Sequence, residues 1–335
     1  MARKSSAALK SEPPSGGELV LTRVFDAPRR LVFEMWTNPA HVARWWGPRG
    51  FSNPVCELDA RPGGEIRIDM RGPDGTVYPM TGIFEEVIEP ERIVFTSAAL
   101  HEQRRLVFEV RDTVTLVERG GKTTQTMRAH VVWKTDEADR YLGGMEQGWS
   151  ESLDRLRACL KDARDQATPA GGSEISPRGG TGTREIVVSR VFDAPRELVW
   201  KAWTEPAHVV SWWGPRGFTT TIEEMDVRPG GVWAQVMHGP DGAHYPNKSV
   251  FKEVVRPERI VFSHGGGRQG GPGTRFESTW SLTALGEQTR VTIHMVFPSA
   301  AEREKVAKEF NAIEGGRQTL ERLAEHLPTM RTSAR

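Results

Sequence analysis

Cysteine is nearly absent from this sequence, with only Cys56 and Cys159 among 335 residues. Two such thiols make neither a disulfide framework nor a cysteine-based zinc site, and they fit a reducing, cytoplasmic compartment. An excess of one charge is also lacking: 45 Lys and Arg against 44 Asp and Glu leave a formal net charge of +1. That balance gives no electrostatic case for nucleic acid or an acidic membrane surface as partner. No run approaches the ~18 consecutive apolar residues of a membrane span. Residues 1–17 are polar and include Pro13-Pro14 and Gly16-Gly17, so a disordered tail is expected rather than a secretory signal. Gly-x-Gly-x-x-Gly and Walker loops, the Gly-x-Ser-x-Gly elbow and His-Glu-x-x-His are missing, and the glycine runs at 265–273 and 179–182 are not strand-to-helix turns. No cofactor and no metal are therefore expected.

What is present is a repeat. Arg23 to Phe51 recurs as Arg190 to Phe218, with 22 of 29 positions identical and no gap. A match of that length is a duplicated structural unit. Tryptophan is abundant, 11 against 3 tyrosines, and four of these tryptophans form the pairs Trp45-Trp46 and Trp212-Trp213 of the repeat. The cysteines do not recur: Glu223 and His326 stand at the matching positions.

Within the first copy, Glu18–Phe25 reads as a strand rich in Leu, Val and Thr. Asp26-Ala27-Pro28 reads as a capped helix start, and Leu31, Val32, Met35 and Trp36 follow at helical spacing. Thr37-Asn38-Pro39 ends that helix and caps a short second one carrying His41, Val42 and the tryptophan pair. From Phe51 the period becomes 2, with strands expected over Val55–Ala60, Glu65–Met70, Thr76–Val87, Ile93–Ser97, Leu106–Leu116 and Thr123–Trp133. Asp136 opens a helical stretch to Leu160 with Met145, Trp149, Leu153 and Leu156 on one stripe. Strands joined by tight turns are antiparallel. Each unit is thus an α+β domain, a curved antiparallel sheet with a long C-terminal helix against it. The domains are expected over 18–162 and 185–328, with a flexible linker at 163–184 and a tail at 329–335. The register between copies slips by one residue between Phe262 and Ser281 and recovers where Leu320 and Leu323 match Leu153 and Leu156.

Comparison of the copies suggests a cavity. Ile66, Ile68 and Met70 align with Trp233, Gln235 and Met237, and Tyr78, Met80, Gly82 and Phe84 with Tyr245, Asn247, Ser249 and Phe251. The alternate positions of the second copy hold Lys248 and Lys252, which marks them as the solvent face. The inward face then has an aromatic at each end with small or polar residues between. Burying unpaired amides such as Gln235 and Asn247 costs roughly 1–3 kcal/mol, so water, a ligand or a neighbouring polar group must satisfy them. The first domain is expected to hold the more apolar pocket. Gly316, in place of Trp149, is expected to open space in the second.

The residues Phe25-Asp26-Ala27-Pro28, Val32-Phe33-Glu34-Met35-Trp36-Thr37-Asn38-Pro39, Trp45-Trp46-Gly47-Pro48 and Gly144-Met145-Glu146-Gln147-Gly148-Trp149 carry a resemblance. Together they resemble the SRPBCC superfamily, in its branch named after the activator of heat shock protein 90 ATPase, over residues 18–160 and 185–327. The resemblance implies a helix-grip, START-like fold: two tandem copies of a sheet wrapped around its last helix, with a hydrophobic pocket between. Members include ligand-binding, stress-response and toxin-resistance proteins and related aromatase/cyclases. The second copy departs from the pattern at Ile313-Glu314-Gly315-Gly316.

The pocket candidates are Trp45, Trp46, Ile66, Ile68, Tyr78, Met80, Phe84, Met145 and Trp149, with Trp212, Trp213, Trp233, Gln235, Tyr245, Asn247 and Phe251 in the second copy. His41 and His208 recur beside the tryptophan pairs, but no carboxylate recurs with them, since Glu34 becomes Lys201 and Glu146 becomes Ile313. No catalytic residue is assigned. The reading that follows is a protein binding a small hydrophobic molecule. The alternatives are a cavity enzyme of the aromatase/cyclase or hydrolase kind, and a co-chaperone with a protein client.

Overall fold

The computed structural model describes residues 18–101, 105–166, 184–270, 273–309 and 311–332. The expected tail at 1–17 and most of the expected linker lie outside them. Strand β1 (Glu18–Phe25) leads into helices α1 (Arg29–Thr37) and α2 (Pro39–Trp45). A meander follows: β2 (Ser52–Leu58), β3 (Glu65–Arg71), β4 (Val77–Ile88), β5 (Arg92–Leu100), β6 (Leu106–Arg119) and β7 (Lys122–Lys134). The sheet order is β1-β7-β6-β5-β4-β3-β2, antiparallel wherever strands pair. Register shifts in β2, β4 and β6 bend the sheet around the helix that closes it.

That helix is broken where the sequence suggested continuity. A short 3-10 turn (Asp136–Ala138) and α3 (Asp139–Leu142) end at Gly143-Gly144, and α4 (Met145–Gln166) starts anew. Two consecutive glycines remove the helical preference that would carry one rod through. The entry to α1 also differs. Pro28 is the cap residue, and the free Arg29 amide is met by Glu118 Oε2 at 2.8 Å, while Asp26 pairs with Arg164 at 2.6 Å. Asn38 caps α2 as its type and position suggest, accepting from the Ala40 amide at 2.9 Å.

The second domain repeats the order with β8 (Glu185–Phe192), α5 (Arg196–Thr204), α6 (Pro206–Trp212), β9 (Thr219–Met225), β10 (Val232–His238), β11 (His244–Val255), β12 (Arg259–Gly266), β13 (Thr274–Leu285), β14 (Gln288–Val296), α7 (Ala300–Glu309) and α8 (Ala312–Thr332). Its sheet order matches strand for strand. Cross-strand partners fix the register between copies: Phe95 faces Asp112 where Phe262 faces Ser278, and Val114 faces Met127 where Trp280 faces Ile293. The one-residue slip therefore persists through β14, in keeping with its recovery only at the last helix.

Each domain has its own apolar core beneath the long helix. The outer faces of the two sheets are covered differently. In the second domain Lys248 and Lys252 are exposed, as expected of a solvent face. In the first, Thr81 and Glu85 at the matching positions are half-buried and buried, and Ile83 between them is buried. The second domain covers them: Arg317 approaches Glu85 at 3.7 Å, Gln288 accepts from the Leu106 amide at 2.8 Å, and Arg290 donates to Thr81 at 3.2 Å. Ala98, Leu100, Leu106 and Val191 form an apolar cluster across this seam.

Candidate functional site

The first domain contains a cavity of about 450 Å³ between the inner face of the sheet and α4. Its size is within the ~300–1,000 Å³ of small-molecule sites. Trp46, Met80, Val110, Phe108, Met145 and Trp149 give it apolar walls. Local sequence positions the loop at its rim. Gly148 places α4 against the Trp-Trp-Gly-Pro loop, where a Cβ would be in van der Waals contact with Pro48 at 3.6 Å. Arg155, two turns on, locks the loop in place: Nη1 donates to the carbonyls of Trp46, Gly47 and Pro48 at 3.1, 2.8 and 2.9 Å. Arg322 does the same in the second domain, to Gly214 and Pro215 at 2.9 and 3.1 Å. Neither arginine stood out in the sequence, although the two recur at matching positions.

Of the residues expected in the first pocket, Trp46, Tyr78, Met80, Met145 and Trp149 line the cavity. Trp45, Ile66, Ile68 and Phe84 lie in the core behind it. Trp45 is fully buried, and its indole N–H donates to the Met35 carbonyl at 2.8 Å, so one tryptophan of the pair is structural and the other faces the cavity. Trp36 lies in the core behind the wall, stacked 6.1 Å from Trp149. His41 is not among the lining residues.

The second domain uses the same space otherwise. Trp233 replaces Ile66 and Trp280 replaces Val114, and both are buried. Their rings and Trp213 pack together at centroid distances of 4.9, 5.4 and 5.7 Å. Gly316 does not leave the opening expected of it, because a Cβ there would meet Val188 at 3.2 Å. The helix has moved in against β8. Trp212 and Phe251 are core residues, and Tyr245 lies 5.6 Å from Phe218. Asn247 donates to the Tyr245 carbonyl at 2.8 Å, whereas buried Gln235 leaves Oε1 without a partner. His208 reaches His326 at 3.3 Å across α6 and α8, away from these rings.

One polar group of the first domain escaped the sequence reading. Asp112 is fully buried on the inward face of β6, in line with Val110 and Val114. Its Oδ2 accepts from the Ser97 hydroxyl at 2.6 Å, and its Oδ1 has no partner. Burial pushes its carboxyl up to about 7, against the opposing effect of the Ser97 hydrogen bond. Ser97 itself lines the cavity. The signal in the sequence was an acid placed on the apolar alternation of a strand. Among the described residues no group of three or more His, Cys, Asp or Glu could hold a metal ion. No helix among the described residues is long and apolar enough to cross a membrane.

Comparison with known proteins agrees with the duplication. The family described as "Activator of Hsp90 ATPase homolog 1-like protein" matches twice, over residues 26–161 and 193–328. Among solved structures, an Arthrobacter aurescens protein is 27% identical, covering 47% of this chain and 93% of its own, with a TM-score of 0.42. A Nitrosomonas europaea protein is 27% identical over 46% of this chain and 99% of its own, with a TM-score of 0.40. Protein Ms6760 from Mycobacterium smegmatis is 24% identical over 45% and 94%, with a TM-score of 0.41. No curated protein matches this chain.

Proposed function

The chain belongs to the family of activator of Hsp90 ATPase homolog 1-like proteins, and from that premise we propose that it binds a small hydrophobic or aromatic molecule in the cavity of its first domain. The observation that carries this reading is the asymmetry between the copies. In the first copy a cavity lies beside Met80, in front of the core residues Ile66 and Val114, whereas in the second Trp233 and Trp280 replace those two and their rings pack with Trp213. A cavity of about 450 Å³ forfeits dispersion contacts unless something fills it. The second domain serves as a support, covering the outer face of β4 to β6. The cysteines Cys56 and Cys159 are both free, which fits action in a reducing compartment such as the cytoplasm.

A role in sequestering or sensing the ligand suits this geometry better than catalysis. The cavity combines apolar walls with a Ser97–Asp112 pair whose carboxylate has no third group to orient it among the described residues. Titration of the purified chain with naphthalene, followed by calorimetry, tests the reading. Saturable binding in the micromolar range is expected, and no heat of binding up to the probe's solubility would dismiss it.

A further inference from the structure

Besides Arg140 and Tyr141, which bond each other, and Ser152, which bonds the Gly148 carbonyl, the proposed ligand site has a polar corner on the sheet whose hydrogen-bond polarity is set by the protein. Ser97 stands on β5 with its hydroxyl at the cavity wall and gives its proton to Asp112 Oδ2 at 2.6 Å. No charged side chain pairs with Asp112 among the described residues, and Ser97 is its one hydrogen-bond partner there. With its proton committed inward, Ser97 turns only lone pairs toward the cavity. A ligand atom that accepts would have to draw that proton away and leave a buried carboxylate without any hydrogen bond, which is the more costly arrangement. A ligand atom that donates leaves the Ser97–Asp112 bond intact and adds one.

We propose that Ser97 and Asp112 select aromatic ligands bearing a hydrogen-bond donor, of the phenol or indole N–H class, within the cavity proposed above. The second domain supplies an independent argument. Where its rings fill the corresponding core, it also lacks the pair: His264 stands at the Ser97 position and Ser278 at the Asp112 position. His264 is used internally, stacked on Phe276 at 4.4 Å with Nδ1 against Ser249 Oγ at 3.1 Å. A buried carboxylate kept for packing alone would have no reason to be absent from the filled copy. The neighbouring rings suit a flat ligand, since Phe95, two residues before Ser97, lies 6.1 Å from Trp46 and cross-strand from Asp112.

The test compares three probes of one shape by calorimetry at pH 8: naphthalene, 2-naphthol and 2-methoxynaphthalene. The full chain is expected to bind 2-naphthol about five- to tenfold more tightly than either of the others, the worth of one hydrogen bond in a dry site. Ser97→Ala should bring the three affinities within about twofold of one another. Asp112→Asn, which keeps an acceptor for Ser97 but removes the charge, should reduce the preference in the same direction and serves if Ser97→Ala no longer binds naphthalene. Equal affinities in the wild-type chain, or a preference that survives both substitutions, overturn the inference while leaving the cavity reading standing. Failure of all three probes to bind overturns both.

Discussion

Trp149 stands edge-on to Trp46, ring centroids 5.0 Å apart and planes at 79°, so helix α4 and the loop after α2 meet through one aromatic pair at the cavity wall. Both rings line the cavity, and Trp149 also stacks on Trp36. Trp149→Ala should therefore weaken binding of an apolar probe at least tenfold, from loss of about 1.5–3 kcal/mol of aromatic contact. An unchanged dissociation constant would show that the ligand does not reach this wall.

Gly82 and Ser249 occupy equivalent positions but are not interchangeable. A Cβ on Gly82 would lie 1.9 Å from the Thr96 carbonyl oxygen, backbone that cannot yield without breaking the ladder. Gly82→Ser should lower the stability of the first domain by more than ~2 kcal/mol, read as a drop in the urea midpoint. A midpoint equal to wild type would mean that the two sheets share a backbone geometry here.

Arg155 holds three carbonyls of the cavity loop with one planar guanidinium. A lysine reaches the same place with a single ammonium and cannot reproduce the fork. Arg155→Lys should cost about 1–3 kcal/mol of stability and loosen the loop, so probe affinity falls as well. Calorimetric melting and titration of the same sample measure both, and a loss of neither would remove Arg155 from the account.

The buried acid makes stability depend on pH in a defined direction. The Asp112 carboxyl rises from its ordinary value of 3.8 to about 7 because burial disfavours its charged form. Between those values the folded chain binds the proton that the unfolded chain has released. Its contribution is thus most favourable below about 4, declines as pH rises, and levels off above about 7. Asp112→Asn should raise the unfolding temperature at pH 8 and have little effect at pH 4.5. His264, lowered to about 4 by burial, acts oppositely, removing stability as pH falls from about 6.5, and remains in both proteins so that it cancels in the comparison. A variant less stable than wild type at pH 8 would contradict the sign.

How far the sequence reached follows from what each residue reports. The repeat and the change of period at Phe51 placed nearly every strand, because alternation and turn residues are local signals. The Gly143-Gly144 break is visible as residues but is outweighed by the apolar stripe that follows it from Met145. Trp46, Met80 and Trp149 could be placed at the cavity because both copies gave their strand and helix faces. Whether a cavity remains is a different matter, since it depends on volumes contributed by strands far apart in sequence, such as Trp233 on β10 and Trp280 on β13. Asp112 and Ser97 are fifteen residues apart and meet only through the β5–β6 register. The burial of Ile83 and Glu85 was illegible, because it is produced by the other domain.

The most direct test of the account is the number of apolar probe molecules bound by the full chain, and where they bind. Calorimetric titration with naphthalene should give one site per chain, and Met80→Trp, which places an indole in the first cavity, should abolish it. Two equivalent sites, or a single site indifferent to Met80→Trp, would contradict the assignment of binding to the hollow first domain.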